Sequence, residues 1–328
     1  MIRKSGSTKL IAQNFLNSTS NMTLVKRQHY VPRTYLKNFA EPNGKEYIIS
    51  ALPKSDLKSD KIFKASIKNI ALENDLYTMP GETEEQKMII EKFYANEFEK
   101  YYEEIYKLLT DEKTTTITTE QRELIISTVI TMYYRTTHWI NKSKALMSRV
   151  FHRLFILCEQ TGKDYFMFED EKISIAGKTA EQFTKEYNTD RQPLMILTQL
   201  ETAMKLIKLK VENSSIMVSK LVDENFEFIT SDNPVIARNP YEKEFIPFDS
   251  NNIFYLPLDS NHMLKLIPEM KQGMENRIFR RQSDHILSKF DTLVNNQSQF
   301  ESSENFLFGS DAGLKSYLSL RDEFKELQ

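Results

Sequence analysis

Short polar side chains gather in the stretch Phe228–Val235, at the point where a predicted strand ends. Ser231, Asp232 and Asn233 follow one another there and place a hydroxyl, a carboxylate and an amide directly before Pro234. The proline favours an extended conformation at Asn233 and ends ladder pairing, so the polar groups are held at a rigid strand end. Two interpretations are open: a catalytic or binding site, or a turn in which Asp232 accepts hydrogen bonds from nearby backbone amides.

His29 is the second candidate, because it precedes Pro32 and Arg33 in a turn that the proline makes rigid. Its imidazole and the Arg33 guanidinium can then face one site. A site centred on the Asp232 carboxylate, with His29 as a second ligand, would suit one divalent cation, Mg²⁺ or Mn²⁺. The metal would activate water while arginines hold the phosphate, which is the chemistry of phosphodiester hydrolysis. The same residues would serve equally well as a buried polar network.

A long helix is predicted at about Glu84–Leu109, since apolar residues recur there at helical spacing. At about 100° per residue, Glu97 falls inside the apolar stripe, where an isolated charge would be costly. A second helix is predicted to begin at Thr118, with Gln121 placed for a capping box. Arg135 lies at the margin of the buried face of that helix. We therefore expect Glu97 and Arg135 to pair; the alternative is that Arg135 points to solvent.

Composition and charge exclude several classes of protein. The formal net charge of −2 and a pI near 6.3 provide no global positive field, so a nucleic-acid partner would need a local basic patch. The eight glycines form no Rossmann or P-loop phosphate motif. Cys158 stands alone, which excludes an internal disulfide and a multi-cysteine metal site. No Gly-x-Ser-x-Gly elbow surrounds Ser231, which argues against acyl transfer.

The patterning of the 328 residues predicts one structured unit behind a flexible segment. Residues 1–24 are rich in Ser, Thr and Asn and are expected to form a flexible N-terminal arm, while residues 25–328 are expected to form a single α-rich α+β domain. No apolar run approaches the roughly 18 residues of a membrane helix, and the N-terminus has no apolar signal region. We therefore expect a soluble, cytoplasmic protein with no membrane partner.

The predicted fold class is α+β, mostly α-helical, with a small and mainly antiparallel sheet of about four strands in the C-terminal half. A hairpin is expected to begin this sheet, since Ser215–Val222 and Phe226–Ile229 flank a polar turn. Two more strands are predicted at 253–258 and 262–267. The remaining helices are predicted at about 141–160, 179–187, 193–211, 282–300 and 312–327.

Two separate motifs resemble those of the bacterial family called domain of unknown function 4238. The first is His29-Tyr30-Val31-Pro32-Arg33-x-Tyr35-Leu36-x-x-Phe39, and the second is Phe228-Ile229-Thr230-Ser231-Asp232-Asn233-Pro234-Val235. In that family a strand with Pro-Leu follows the second motif, as Leu256-Pro257-Leu258 does here. The family also carries a helix with Arg-Thr-Pro, whereas this chain reads Arg135-Thr136-Thr137, so the proline is missing.

A late helical asparagine of the family looks matched by Asn295, with Asn296 directly beside it, and a glutamate of the first long helix by Glu97. The resemblance implies a bacterial protein with a polar site assembled from His29, Arg33, Arg135 and Asp232, and a place in defence against phage. In this site Asp232 would be the main metal ligand or base and His29 the second ligand or acid. Arg33 and Arg135 would bind phosphate, Glu97 would orient Arg135 or join the metal, and the substrate would contact Ser231, Asn233 and Asn295.

Two functions follow as expectations. The first is a defence-associated effector that hydrolyses a nucleic acid or nucleotide, with Mg²⁺ or Mn²⁺. The second is a non-catalytic sensor or interaction module, in which the polar cluster is structural or recognises a phage protein, a defence-system protein or a nucleotide signal. The near-neutral charge favours the second function for long nucleic acids but leaves a compact nucleotide substrate open.

Overall fold

The computed structural model describes residues 25–168, 170–242, 246–268 and 272–326. Within these ranges two five-stranded sheets and two two-stranded ribbons combine with helices. The arm predicted at residues 1–24 lies outside the described residues. Among the described helices, none is both long and apolar enough to cross a bilayer.

The helices and strands alternate irregularly along the chain, as expected for an α+β fold. The helices are α1 (Arg33–Leu36), α2 (Glu84–Lys87), α3 (Ile89–Glu97), α4 (Tyr102–Thr110), α5 (Thr119–Arg135), α6 (Thr137–Thr161), α7 (Ala180–Asn213), α8 (His285–Ser302) and α9 (Asp311–Glu326). The strands are β1 (Arg27–His29), β2 (Glu41–Asn43), β3 (Glu46–Pro53), β4 (Phe63–Ser66), β5 (Leu72–Asn74), β6 (Tyr165–Phe168), β7 (Glu171–Ser174), β8 (Ser214–Leu221), β9 (Thr230–Ser231), β10 (Ile236–Arg238), β11 (Ile253–Pro257), β12 (His262–Pro268), β13 (Ile278–Ser283) and β14 (Phe306–Gly309).

The first sheet has the order β10-β11-β12-β8-β13. Its strands are antiparallel except for β13, which pairs in parallel with β8. Alternate residues of β8 such as Ile216 and Val218 are buried in the main core, where helices α5 and α7 pack against each other. Helix α8 packs next to β13. Helix α8 also contacts β10, and α7 contacts β12, so helices pack along this sheet.

The second sheet has the order β2-β3-β14-β9, with β4 paired to the other edge of β3. Its register places Ser231 opposite Leu307 and Thr230 opposite Phe308. The short strand β9 thus delivers the Ser-Asp-Asn stretch next to the segment that leads from α8 into β14. Helix α9 packs on this sheet through Leu314 and Tyr317.

The α+β class is confirmed, but the prediction of one small C-terminal sheet is wrong. Both sheets are larger than expected, and the second takes β2, β3 and β4 from the N-terminal part of the chain. The hairpin predicted from Ser215–Val222 and Phe226–Ile229 does not form, because β8 pairs with β12 and β13 instead. Phe226 and Phe228 are buried by packing against Leu221 and Met263. Their burial does not require ladder pairing.

Two of the predicted helix boundaries also differ, for opposite reasons. The helix predicted at Glu84–Leu109 is interrupted at Met88 and at Phe98, whose backbone (φ −130°, ψ −55°) is not helical. The break lets Phe98 pack edge-on against Phe93 at a centroid distance of 5.4 Å. Conversely, α7 runs unbroken through Pro193. Although Pro193 cannot donate to the preceding turn, both halves of α7 are fixed by buried side chains.

Other local signals are confirmed. Thr118 and Gln121 form the capping box at the start of α5, and Gly162 ends α6 in the left-handed conformation with φ of +65°. These signals depend on neighbouring residues alone, so sequence is sufficient to read them.

Candidate functional site

The corner between α5 and α6 joins segments that are far apart in the sequence. Arg135, the last residue of α5, donates from Nη2 to the carbonyl oxygen of His29 at 2.8 Å. Thr136 leaves the helical conformation and donates from Oγ1 to Asn233 Oδ1 at 2.9 Å. The hydroxyl of Tyr77 donates to the carbonyl of Arg135. Adjacent residues of one corner therefore hold the His29 segment and the Asn233 segment together.

Asp232 is fully buried, and backbone groups surround its carboxylate. Oδ1 accepts the N–H of Glu304 at 2.8 Å, and Oδ2 accepts those of Asn305 at 2.7 Å and Phe306 at 3.2 Å. Burial raises the pKa of Asp232, and the three backbone hydrogen bonds oppose that rise. Both oxygens thus hold the segment between α8 and β14.

Ser231 and Asn233 face the same helix end. Ser231 Oγ donates to Gln299 Oε1 at 2.7 Å and accepts the N–H of Asn233 at 3.1 Å. Asn233 Nδ2 donates to the carbonyl and the hydroxyl of Ser302 at 3.0 and 2.8 Å. Gln299 in turn donates to the carbonyl of Pro234. These polar groups are satisfied by protein partners.

Asn295 does not reach this stretch. Its amide donates to the carbonyl of Asp291 in the same helix at 2.6 Å. The next residue, Asn296, makes the contacts instead: it accepts the N–H of Ile229 at 3.0 Å and donates to the carbonyl of Glu227 at 2.9 Å. Of these two asparagines, Asn296 is the one that contacts the segment leading into β9.

His29 ends β1, where its ring is more than half buried and forms a hydrogen bond with the backbone of Ile67. Burial and the nearby Arg33 guanidinium lower the pKa of His29 to about 4, so the imidazole is neutral at pH 7. Its Nε2 atom is buried and has no hydrogen-bond partner. A neutral imidazole with one nitrogen free is a Lewis base.

Arg135 pairs with Glu99 and not with Glu97. Its Nη2 lies 2.9 Å from Glu99 Oε1, and its guanidinium lies over the Tyr94 ring at 4.4 Å. Burial opposes the charge of Arg135, but Glu99 and the neighbouring groups hold the pKa of the guanidinium above its usual range. Glu97 is exposed. The predicted Glu97–Arg135 pair is wrong because the helix ends at Glu97 and the chain turns at Phe98. The 3₁₀ turn that follows carries Glu99, and not Glu97, to Arg135.

Glu91 belongs to the same neighbourhood, and the sequence analysis missed it. Its Oε2 atom is buried without a partner. Burial raises the pKa of Glu91 to about 7, although Arg135 and Arg33 favour the ionised form. The sequence does contain a signal for Glu91. It lies three residues before Tyr94 on the same helix, so the helical spacing that assigns Tyr94 to the buried apolar stripe also places the Glu91 carboxylate beside that stripe.

His29, Arg33, Glu91, Glu99 and Arg135 form what we call the corner cluster. Three of its buried polar atoms lack a hydrogen-bond partner: His29 Nε2, Glu91 Oε2 and Arg135 Nε. Arg33 is exposed at the edge of the cluster and has no ion-pair partner among the described residues. Beside Arg135 and Glu99 lies a cavity of about 10 Å³, which is roughly the space of one water molecule.

Asp232 and His29, the two residues predicted to bind a metal ion, differ in whether their donor atoms are free. Both Asp232 oxygens already accept backbone hydrogen bonds, whereas His29 Nε2 and Glu91 Oε2 have free lone pairs. Across the described part of the chain, no three His, Cys, Asp or Glu side chains are grouped so that they could hold a metal ion. The binding of Mg²⁺ or Mn²⁺ therefore stays a prediction.

Comparison with known proteins yields one match. A family model described as "Protein of unknown function (DUF4238)" matches residues 27–312, a span that includes both sequence motifs and the corner cluster. No curated protein and no solved structure matches the chain.

Proposed function

The chain belongs to the DUF4238 family, as its two motifs predicted, and we propose that its corner cluster hydrolyses a phosphodiester or nucleotide substrate. One observation carries the proposal. Three buried polar atoms without partners occur together in a cluster where two ionisable groups, His29 and Glu91, have strongly shifted pKa values. Unpaired buried polar groups are costly, and shifted pKa values concentrate at functional sites.

In this proposal the residues of the corner cluster have different chemical roles. Glu91, with a pKa of about 7, can give and take a proton at neutral pH, which is the property of an efficient general acid or base. The neutral His29 can accept a proton from an attacking water at Nε2. Arg33 and Arg135 supply the cations that neutralise a phosphate. Glu91 thus takes the acid–base role that the sequence analysis gave to Asp232, whose oxygens are occupied.

A metal ion, if the reaction uses one, would supply a Lewis acid and an activated water. His29 Nε2 and Glu91 Oε2 are the unpartnered atoms of the corner cluster that could each donate to it. A role as a defence effector, the cytoplasmic location and a phage-derived partner stay predictions.

A non-catalytic sensor or interaction module is the second candidate, and the size of the cavity favours it. Ligand sites commonly enclose about 300–1,000 Å³, whereas the space beside Arg135 is about 10 Å³. Ser231, Asp232 and Asn233 are also fully hydrogen-bonded. The hydrolase therefore requires the exposed edge at Arg33 to open, or the phosphate to bind at the surface of the cluster.

Incubation of the purified protein with RNA, DNA and nucleoside triphosphates separates the two candidates. Each substrate is tested with Mg²⁺, Mn²⁺ or EDTA, for wild type, Glu91→Gln and the control Glu97→Gln, which changes an exposed glutamate of the same helix. We expect cleavage by wild type and Glu97→Gln, and a rate lower by about 100-fold or more in folded Glu91→Gln. Absence of cleavage of every substrate by wild type would leave the corner cluster as an architectural or recognition element.

A further inference from the structure

A polar groove lies near the end of the first sheet, apart from the corner cluster. It encloses about 370 Å³, and three cationic side chains and one carboxylate line it together with a histidine. The residues that matter to the argument are Glu112, Lys220, His262, Arg280 and Arg281. The excess of positive charge and the volume of the groove suit an anion larger than a monatomic ion.

His262 is the best-oriented group of the groove. Asp259, three residues earlier in the turn between β11 and β12, lies 2.9 and 3.0 Å from its Nδ1 atom. The Asp259 carboxylate is itself held by the Tyr106 hydroxyl at 2.7 Å and by the backbone N–H groups of Asn261 and His262. Because Nδ1 faces the carboxylate, Nε2 is the ring nitrogen left for a ligand. It is buried and has no partner, so a ligand reaches it only when the groove opens beside it.

The three cationic side chains of the groove differ in how firmly protein partners hold them. Arg280 is committed, because its guanidinium donates to the carbonyls of Leu108, Leu109, Asp111 and Thr114 after the end of α4. It nevertheless adds fixed positive charge, and its Nε atom has no partner.

Lys220 is the exchangeable cation, whereas Arg281 is paired with a buried aspartate. Lys220 pairs with Glu112, and both side chains are about half exposed. Arg281 lies 3.5 Å from Asp291 and is 36% exposed. Exposed ion pairs contribute little to stability, so an incoming anion can take over Lys220 from Glu112 without disturbing the fold. Asp291 is buried, so Arg281 stays paired with it and adds positive charge at the edge of the groove.

We propose that this groove binds the phosphoryl group of a small phosphate ester such as a nucleotide. His262 Nε2 contacts a phosphate oxygen, Lys220 leaves Glu112 to pair with the anion, and Arg281 adds positive charge at the edge. Glu112 then acts against binding, because it competes for Lys220. The proposal does not depend on the activity of the corner cluster, which shares none of these residues.

Calorimetric titration of the full chain with inorganic phosphate and with AMP tests the groove. We expect saturable binding by wild type, about tenfold weaker binding by Lys220→Gln and His262→Gln, and tighter binding by Glu112→Gln. Lys64→Gln, which removes an exposed lysine from another ion pair, should bind like wild type. Tighter binding of AMP than of phosphate assigns a nucleotide, and equal binding assigns the phosphoryl group alone.

Two results would overturn the proposal: no saturable binding by wild type, or unchanged affinity in both Lys220→Gln and His262→Gln. If His262→Gln does not fold, the proposal is still tested by the opposite changes of binding affinity expected for Lys220→Gln and Glu112→Gln. A purely structural Lys220–Glu112 pair predicts no change of affinity in either variant, so the two variants together distinguish a binding groove from a salt bridge.

Discussion

Thr136 Oγ1 donates a buried hydrogen bond to Asn233 Oδ1 at 2.9 Å, and the preceding residue, Arg135, donates to the carbonyl of His29. Because Thr136 is extended between two helices, consecutive side chains of the corner can point to two different segments. The Arg135–Thr136 dipeptide is thus the element that brings the two sequence motifs together. It places Arg135 at the end of a helix, a rigid support for a functional side chain.

Thr136→Val tests this contact with little change of shape. The substitution leaves Asn233 Oδ1 buried without its donor, so we expect the free energy of unfolding to fall by about 1–3 kcal/mol. Thr198→Val is the matched control, since Thr198 is exposed and its hydroxyl bonds only within α7; it should change stability by less than about 0.5 kcal/mol. Urea unfolding measures both. Equal effects would show that the corner does not depend on this bond.

Asp232→Asn should be strongly destabilising, because an amide nitrogen would replace an oxygen that faces backbone N–H donors. Loss of charged hydrogen bonds in a buried site predicts a fall of about 3 kcal/mol or more. Amide hydrogen exchange at Glu304, Asn305 and Phe306 should accelerate more than at the remaining amides of β14. Asp60→Asn, at an exposed position, serves as the control. Unchanged exchange at these three amides would contradict the role of Asp232 as their acceptor.

Glu91 and His29 should give opposite dependences of stability on pH. The folded-state pKa of Glu91 is raised from 4.5 to about 7, so its contribution is present below pH 4.5 and is lost as the pH rises through 7. The folded-state pKa of His29 is lowered from 6.5 to about 4, so its contribution is present above pH 6.5 and is lost as the pH falls through 4.

The variants Glu91→Gln and His29→Asn therefore separate the two contributions. From pH 5 to pH 8, Glu91→Gln should gain stability relative to wild type, by at most about 3 kcal/mol. His29→Asn should gain relative to wild type as the pH falls from 6.5 to 4. Denaturant midpoints at four pH values provide the measurement. Parallel curves for wild type and Glu91→Gln would show that Glu91 has an ordinary pKa.

The sequence allowed prediction of those features that depend on neighbouring residues or on a match to a motif. The capping box at Thr118 and the end of α6 at Gly162 are local, and both are confirmed. Pairing of β8 with β13, in contrast, depends on strands far apart in the chain, so the turn after β8 was mistaken for a hairpin. Pro193 predicts a helix start because its local preference is clear, yet tertiary packing keeps α7 continuous.

The candidate site was predictable in part for the same reason. His29 and Arg135 were identified from the motifs, and the structure places them in contact. Glu91 lies on one unbroken helix with Tyr94, so helical spacing is sufficient to identify it. Glu99 is not identified in this way, because a helical count holds only while the helix is uninterrupted, and this one is broken at Phe98. A carboxylate that lies beyond such a break cannot be assigned to a face by spacing alone.

Glu99→Gln and Glu97→Gln form the pair that tests the corrected partner of Arg135. Arg135 is almost fully buried and Glu99 only 26% exposed, so removal of the Glu99 charge leaves a buried guanidinium without its counter-ion. We expect a loss of about 3 kcal/mol for Glu99→Gln and little change for Glu97→Gln.

Glu99→Gln should also change the titration of its neighbours, which a merely packing role would not do. The Glu99 charge raises the pKa of both Glu91 and His29, so its removal should lower both values. Carboxyl and imidazole titrations followed by nuclear magnetic resonance measure the two shifts in one sample. If Glu97→Gln moves the pKa of Glu91 as much as Glu99→Gln does, the break at Phe98 does not separate the two glutamates, and the corner cluster has been assigned the wrong carboxylate.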